Sequence, residues 1–255
     1  MASTARVLMY HGFGNRTPAQ DPHNLFVRED ALRQQLNSLA ARGWTALDLD
    51  GYLAGLERGR WPARSYLLTI DDGYPSTIEL AAPVLRRRGV PAVLFIPPGR
   101  LGGTSAWMPE MPAEPIMNAD LLREASAYGI EVGVHGWDHA DMVGMDSAEL
   151  GRHVVDSRTE LADLLGTTPR SFAYPRGVYD AAAHAAVRDA GYAVSFAVHD
   201  GAGRWAVTRT DVNSLDTERS FALKLSPLWP AAYGLARRLP AVRRTAHRLV
   251  GFTRR

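Results

Sequence analysis

The 255-residue chain has no cysteine. Disulfides and thiolate metal sites are therefore excluded, and any metal has to be held by His, Asp or Glu. Lysine is almost as scarce, since of 29 basic residues only Lys224 is not arginine. No window is apolar and long enough to span a membrane. The four apolar residues Val7-Leu8-Met9-Tyr10 before His11 are too few for the core of a signal peptide. These gaps point to a cytoplasmic protein. Internal repeats and low-complexity segments are lacking, as is any linker before about residue 220. With 46% hydrophobic residues, residues 1–220 have ample material for one folded domain.

Acidic residues are missing from one region. From Arg219 onward there are eight Arg, one Lys and no acid, a charge of +9; against the net +2 this leaves −7 for residues 1–218. Residues 221–255 therefore read as a basic, partly helical tail. Within it Leu235, Leu239, Val242, Ala246, Leu249 and Val250 fall near one helical face. Pro240 splits the stretch into two short helices, because proline can begin or end a helix but not sit inside one. A basic amphipathic tail suits an anionic membrane surface, which would place the protein at the inner face of a membrane; a tail packed against the barrel or loosely ordered is the alternative. Nucleic acid is not an expected partner.

The chain is organised around Ser65-Tyr66-Leu67-Leu68-Thr69-Ile70-Asp71-Asp72-Gly73. Its first half is the apolar, β-favouring run of a fully buried parallel strand. It stops on two adjacent carboxylates and a glycine, followed by Ser76 and Glu79 at capping-box spacing and an apolar-periodic helix to Arg88. Two like charges side by side need something to neutralise one of them, a metal ion or a proton. An Asx-type turn that happens to hold two aspartates is the plainer alternative.

Further strand-then-helix units flank this one. Strands are expected at Val7–Tyr10, Thr45–Leu49, Pro91–Ile96, Ile130–Val134, Ser171–Tyr174 and Tyr192–Val198. Helices are expected at Leu25–Arg42, from about Gly51 to Arg58, from Asn118 to Tyr128, from Asp146 to Gly166 and from Asp180 to Ala190. About seven such units with mostly short connections predict an α/β fold with a parallel sheet, a distorted (β/α)7–8 barrel. The loop from Pro97 to Pro115, which contains Trp107 and Met108, is long for a compact domain and is expected to shape a binding site.

Successive strands end in His11, in Asp71 and Asp72, in His135-Gly136-Trp137-Asp138-His139, and in Tyr174-Pro175-Arg176-Gly177. In a parallel barrel all of these reach one face, where such enzymes place their chemistry. His-x-x-x-His lets two imidazoles reach one ion, and two His with a carboxylate leave coordination positions open, as catalytic sites do. On their own, His135 and His139 would read as loop histidines; opposite Asp71-Asp72 they read as ligands. His23, His153, His184, His199 and His247 read as surface or packing residues.

The segments Thr69-Ile70-Asp71-Asp72-Gly73, His135-Gly136-Trp137-Asp138-His139 and Tyr174-Pro175-Arg176-Gly177 resemble the first three motifs of the polysaccharide deacetylases, carbohydrate esterase family four. The resemblance runs from about Val7 to Asn213. It implies a distorted (β/α) barrel and metal-dependent N- or O-deacetylation of a sugar, and the favoured reading is removal of acetyl from an N-acetylated sugar or glycoconjugate. It makes Asp71 the catalytic base and Asp72, His135 and His139 the ligands of one divalent ion, zinc, with cobalt or nickel as substitutes. Tyr174, Pro175, Arg176, Trp137, Trp107 and Arg209 are the expected substrate-binding residues.

Two departures qualify it. Many members carry an arginine against the base two positions before the proline of the third motif; here Ala173 stands there, and Arg209 is the candidate substitute. The family's late Leu-x-His is missing, whereas Met9-Tyr10-His11 resembles the circularly permuted branch, in which an N-terminal Tyr-His fills that role. His11 is then the general acid, the alternative being a buried histidine bonded to a loop carbonyl. Two other functions stay open: hydrolysis of a formyl or other non-peptide C–N bond, and a catalytically silent carbohydrate-binding barrel. Nucleotide sugars, lipid-linked glycan precursors and sugar-bearing natural products are the substrates that suit a cytoplasmic enzyme.

Overall fold

The computed structural model describes residues 4–198, 201, 203–226 and 229. In chain order the strands among them are β1 (Arg6–Tyr10), β2 (Gly12–Phe13), β3 (Phe26–Val27), β4 (Thr45–Leu47), β5 (Ser65–Ile70), β6 (Ala92–Ile96), β7 (Ile130–Val134), β8 (Ser171–Ala173), β9 (Val194–Ala197), β10 (Val207–Thr208) and β11 (Thr210–Asp211). One parallel sheet runs β10-β9-β8-β7-β6-β5-β1-β11, with β4 also on β5, while β2 and β3 pair separately. β1 takes one edge of β5 from Tyr66 to Ile70; the other edge is shared by β4 on Ser65–Leu67 and β6 on Leu68–Ile70. The sheet closes through a single short run of chain. Val207 and Thr208 pair with Phe196 and Ala197 of β9, and Thr210 and Asp211 pair with Leu8 and Met9 of β1. The result is the nearly closed, distorted (β/α) barrel that the sequence predicts.

Alternation along the strands sorts the core into two layers. Leu8, Tyr10, Leu68, Ile70, Leu94, Ile96, Val132, Val134 and Phe172 face outward under the helices. Val7, Leu67, Val93, Phe95, Ala173, Val194 and Phe196 face inward, with Leu49 and Tyr52 of the helix Leu49–Arg58 joining them. A period of two residues carries the inward series of β1, β5 and β7 on to the next odd position. His11, Asp71 and His135 are those positions at the ends of β1, β5 and β7.

Several element ends differ from expectation. The helix expected from Leu25 starts at Glu29, because Phe26 and Val27 pair with Gly12 and Phe13. Ser76 does not cap the following helix: its backbone is already helical, and its hydroxyl accepts the N–H of Phe13 at 3.0 Å instead. Asp146 and Glu149 do form a reciprocal capping box, and Gly166 ends that helical stretch in the left-handed conformation. Midway through it, Arg152–Asp156 is a wider π-helical turn.

The helix Glu218–Lys224 crosses the expected domain boundary at 220/221. Phe221, Lys224 and Leu225 are buried, and Lys224 Nζ lies 2.7 Å from the buried carboxylate of Asp216. The sole lysine therefore belongs to the core and not to a basic surface. The remainder of the tail, with its expected helices about Pro240, lies outside the described residues, as do His199 and His247.

Candidate active site

His11, Asp71, Asp72, His135 and His139 are all buried and line one cleft of about 680 Å³ at the C-terminal end of the barrel strands. The paired aspartates enter it by different routes. Asp71 continues the inward alternation of β5, and its N–H donates to the carbonyl of Tyr10 at 2.9 Å, which fixes it beside His11. Asp72 has φ 75, which turns the chain so that two successive side chains can serve the same cleft. His139 (φ 69) and Arg176 (φ 54) are left-handed as well. Such conformations are costly for non-glycine residues and persist where the surroundings over-determine them.

Arg209 separates the electrostatics of the pair. Its Nη1 and Nη2 lie 2.6 and 2.7 Å from the two oxygens of Asp71, a buried bidentate contact. Nη1 also donates to Thr69 Oγ1 at 3.3 Å. Burial works to raise the pKa of Asp71, but Arg209 and then His135 outweigh it and hold the carboxyl below the ordinary range. For Asp72, burial is again opposed, here by His139 first and by His135 beside it, and its pKa lies well below the ordinary value. Burial lowers the pKa of His139, against the pull of Asp72.

Asp72 Oδ1 is 3.1 Å from His139 Nε2 and 3.5 Å from His135 Nε2. The donor atoms of these three residues lie within 4.8 Å of one another. Two observations fit a cation among them. Asp72 Oδ1 is buried without a hydrogen bond, which is unfavourable unless something else meets it. His135 Nδ1 is 2.7 Å from the carbonyl of Ala173. A carbonyl can only accept, so the ring proton sits on Nδ1 and Nε2 keeps its lone pair for a metal. His139 is stacked on Trp107, with centroids 4.5 Å apart and planes 14° from parallel.

Of the expected substrate-binding residues, Trp107, Arg176 and Arg209 line the cleft. Arg209 does so from behind Asp71, with its side chain fully buried. Arg176 Nη2 donates to the carbonyl of Trp107 at 2.8 Å, and Nη1 faces Asp141 at 3.4 Å. Tyr174 points elsewhere. It falls on the outward parity of β8, stacks on Tyr179, and its hydroxyl donates to the carbonyl of Trp205 at 3.0 Å. Pro175 packs against Gly136 and Trp137 lies under Arg152, so neither side chain lines the cleft. His23, read as an ordinary residue, lies at the mouth 3.9 Å from Glu110, with Leu25, Met108 and Asp141 nearby on the lining. Met108 and Glu110 belong to the Pro97–Pro115 loop expected to shape a binding site, whereas His23, Leu25 and Asp141 carry no sequence signal, since loops that are remote in sequence bring them together.

A profile of the family described as Polysaccharide deacetylase matches residues 58–195. The Bacillus subtilis (strain 168) protein YxkH, whose name assigns it to the polysaccharide deacetylases, is 22% identical over 213 residues, 81% of this chain and 71% of its own length. Among solved structures, the Streptococcus pyogenes deacetylase PplD in complex with acetate superposes with a TM-score of 0.77 at 20% identity, covering 89% of this chain and 100% of that one. IcaB from Ammonifex degensii gives 0.73 at 22% identity, covering 90% and 97%. Asp71, Asp72, His135 and His139 fall inside the matched segment, whereas His11 and Arg209 lie outside it.

Proposed function

The chain belongs to the polysaccharide deacetylase family, and from that premise we propose that it is a metal-dependent hydrolase that removes acetyl from an N-acetylated sugar or glycoconjugate. The observation that carries this reading is the division of the paired aspartates: Asp71 sits on Arg209, and Asp72 faces two imidazoles. Adjacent carboxylates that are given different partners can take different chemical roles. A divalent ion held by Asp72, His135 and His139, zinc or in its place cobalt or nickel, would polarise the acetyl carbonyl and acidify water. Asp71, kept ionised by Arg209, accepts the proton of the attacking water. His11, beside Asp71 at the end of the neighbouring strand, donates a proton to the leaving amine as the C–N bond breaks, giving acetate and a free amine. In this reading Tyr10-His11 fills the role of the late family motif, as in the permuted branch, with only His11 facing the cleft. Tyr10 is on the outward parity of β1, and its hydroxyl donates to Gln35 Oε1 at 3.0 Å.

Ala173 leaves the third motif without the arginine that would meet the base, which leaves room for a formyl or other C–N substrate. Arg209 supplies that partner from the junction between β10 and β11, which favours the acetyl reading. The basic tail further supports a peripheral position at the cytoplasmic face of an anionic membrane.

Acetate release from a panel of N-acetyl sugars, followed by mass spectrometry before and after chelation, tests the activity. Formate in place of acetate would move the reading to the formyl substrate. Purified protein with neither bound metal nor turnover would leave a carbohydrate-binding barrel. Replacing Asp72, His135 or His139 by Ala is expected to abolish metal content and activity together. Asp71→Asn is expected to lose activity with about one metal per chain retained. The reverse pattern across Asp71→Asn and Asp72→Asn would exchange the two roles.

A further inference from the structure

His153 lies outside the family motifs, on the wide π-helical turn Arg152–Asp156, and only 6% of it is exposed. Its Nδ1 accepts the backbone N–H of Trp137 at 3.1 Å. Trp137 is the middle residue of the span between His135 and His139. A neutral imidazole that accepts at Nδ1 carries its proton on Nε2. That atom faces Asp138 Oδ1 at 3.7 Å, in the same span. The side chain thus meets the turn between the two ligands at one backbone donor and one carboxylate. Contact is close: a Cβ on Gly136 (φ 70) would come 3.0 Å from His153 Nδ1 and 3.1 Å from Pro175 Cγ. From the other side, Gly99 N–H donates to the Trp137 carbonyl at 2.8 Å, and Arg100 Nε donates to the Asp138 carbonyl at 3.0 Å. The wide turn places the imidazole here, and Ser157 Oγ takes up the Arg152 carbonyl at 3.0 Å. Local π-helical geometry of this kind is often found where a helix serves a site.

We propose that His153 is a positioning residue for the metal centre: as the acceptor for Trp137 N–H, it fixes the turn that sets His139 against His135. His153 is not itself a ligand. Its effect is on the preorganisation of the ligand set, and so on metal affinity. The inference rests on the metal reading given above and adds to it a residue outside the motif segments quoted for the resemblance. Outer partners of this type typically set 10–100-fold in metal affinity.

The test is the zinc dissociation constant of the full chain, measured by competition with a chromophoric chelator, together with thermal unfolding of the metal-stripped protein. His153→Phe and His153→Leu remove the acceptor. His153→Asn restores one, because its Oδ1 can take the place of Nδ1. The expected result is zinc binding about 10–100-fold weaker in the Phe and Leu variants, recovered to within a few-fold by Asn, with the stripped proteins unfolding at similar temperatures. Unchanged affinity in Phe and Leu, or an Asn variant as weak as Phe, overturns the role. So does failure of both Phe and Leu variants to fold without metal, which makes His153 a core residue only. A wild-type chain that binds no zinc overturns the metal reading instead, so the two failures are distinguishable.

Discussion

Asp71 and Asp72 are adjacent, chemically identical and equally buried at 2% exposure. Their partners alone make them different. The sign for Asp71 follows from those partners: its folded pKa is depressed, so the carboxylate is ionised above that value and loses its charge as pH falls through it. Arg209→Met removes the largest opposing influence and leaves burial to push the pKa upward. The acid limb of the pH–rate profile is therefore expected to move to higher pH, and a limb that stays in place would separate Arg209 from the base. The same variant strands a buried carboxylate, at a cost of about 3–5 kcal/mol of stability measured by denaturant. His11→Ala is expected to keep the metal and lose roughly 10²–10⁴ in rate on an amide substrate. Asp71, Asp72, His135 and His139 were legible because each lies in a short local pattern at a strand end. Arg209 was legible only as a candidate, since its partner lies 138 positions earlier and only barrel closure brings them together. His153 was not legible at all, because a histidine that accepts a backbone N–H leaves no pattern in sequence.

At the scale of elements, caps and stops were legible where the chemistry is local and were missed where a remote group competes. Asp146 with Glu149 and Asn118 cap as their types suggest. Ser76 has the same spacing to Glu79, but the Phe13 N–H takes its hydroxyl, tying the turn after His11 to the segment after Asp72. The helix Glu218–Lys224 shows the same competition: it looked like the start of a basic tail, yet its lysine points inward. Asp216 accepts Lys224 Nζ, Ser220 Oγ and the N–H of Asn213, and both charged side chains of the pair are buried. Burial still leads, and the pKa of Asp216 is raised despite Lys224. A raised folded pKa means that this group's contribution is full below the ordinary carboxylate range and is lost as pH rises through the folded value. Lys224→Met removes a partner that favours the charged form, so its deficit should be largest at neutral pH, about 3–5 kcal/mol, and should shrink toward acid. Urea titrations at neutral and acidic pH check this. A deficit independent of pH would assign the loss to packing of the lysine stem.

At the scale of the molecule, one period-two alternation both builds the barrel and delivers the chemistry. Odd positions on β1, β5 and β7 pack the interior and end in His11, Asp71 and His135, whereas even positions hold the helices. The count of strand–helix units made the barrel legible, but its closure rests on two-residue strands either side of Arg209, too short for any periodicity to register. Among the described residues, those that close the barrel and line the cleft all precede Leu225, whose carbonyl accepts Arg6 Nε at 3.3 Å. Beyond Trp229 the sequence adds seven arginines and no acid. If those residues serve a surface and not the reaction, the two functions separate in one truncation. A chain ending at Trp229 is expected to keep the unfolding temperature, metal content and turnover on a soluble N-acetyl sugar of the full chain. It should lose co-sedimentation with vesicles containing anionic lipid, because each basic residue near such a surface contributes roughly 1 kcal/mol. Binding by the full chain should fall steeply as salt is raised, since screening acts over about 8–10 Å at ordinary ionic strength. Equal sedimentation of both chains at low salt would remove the membrane role. Loss of turnover on the soluble sugar would instead make the tail part of the cleft.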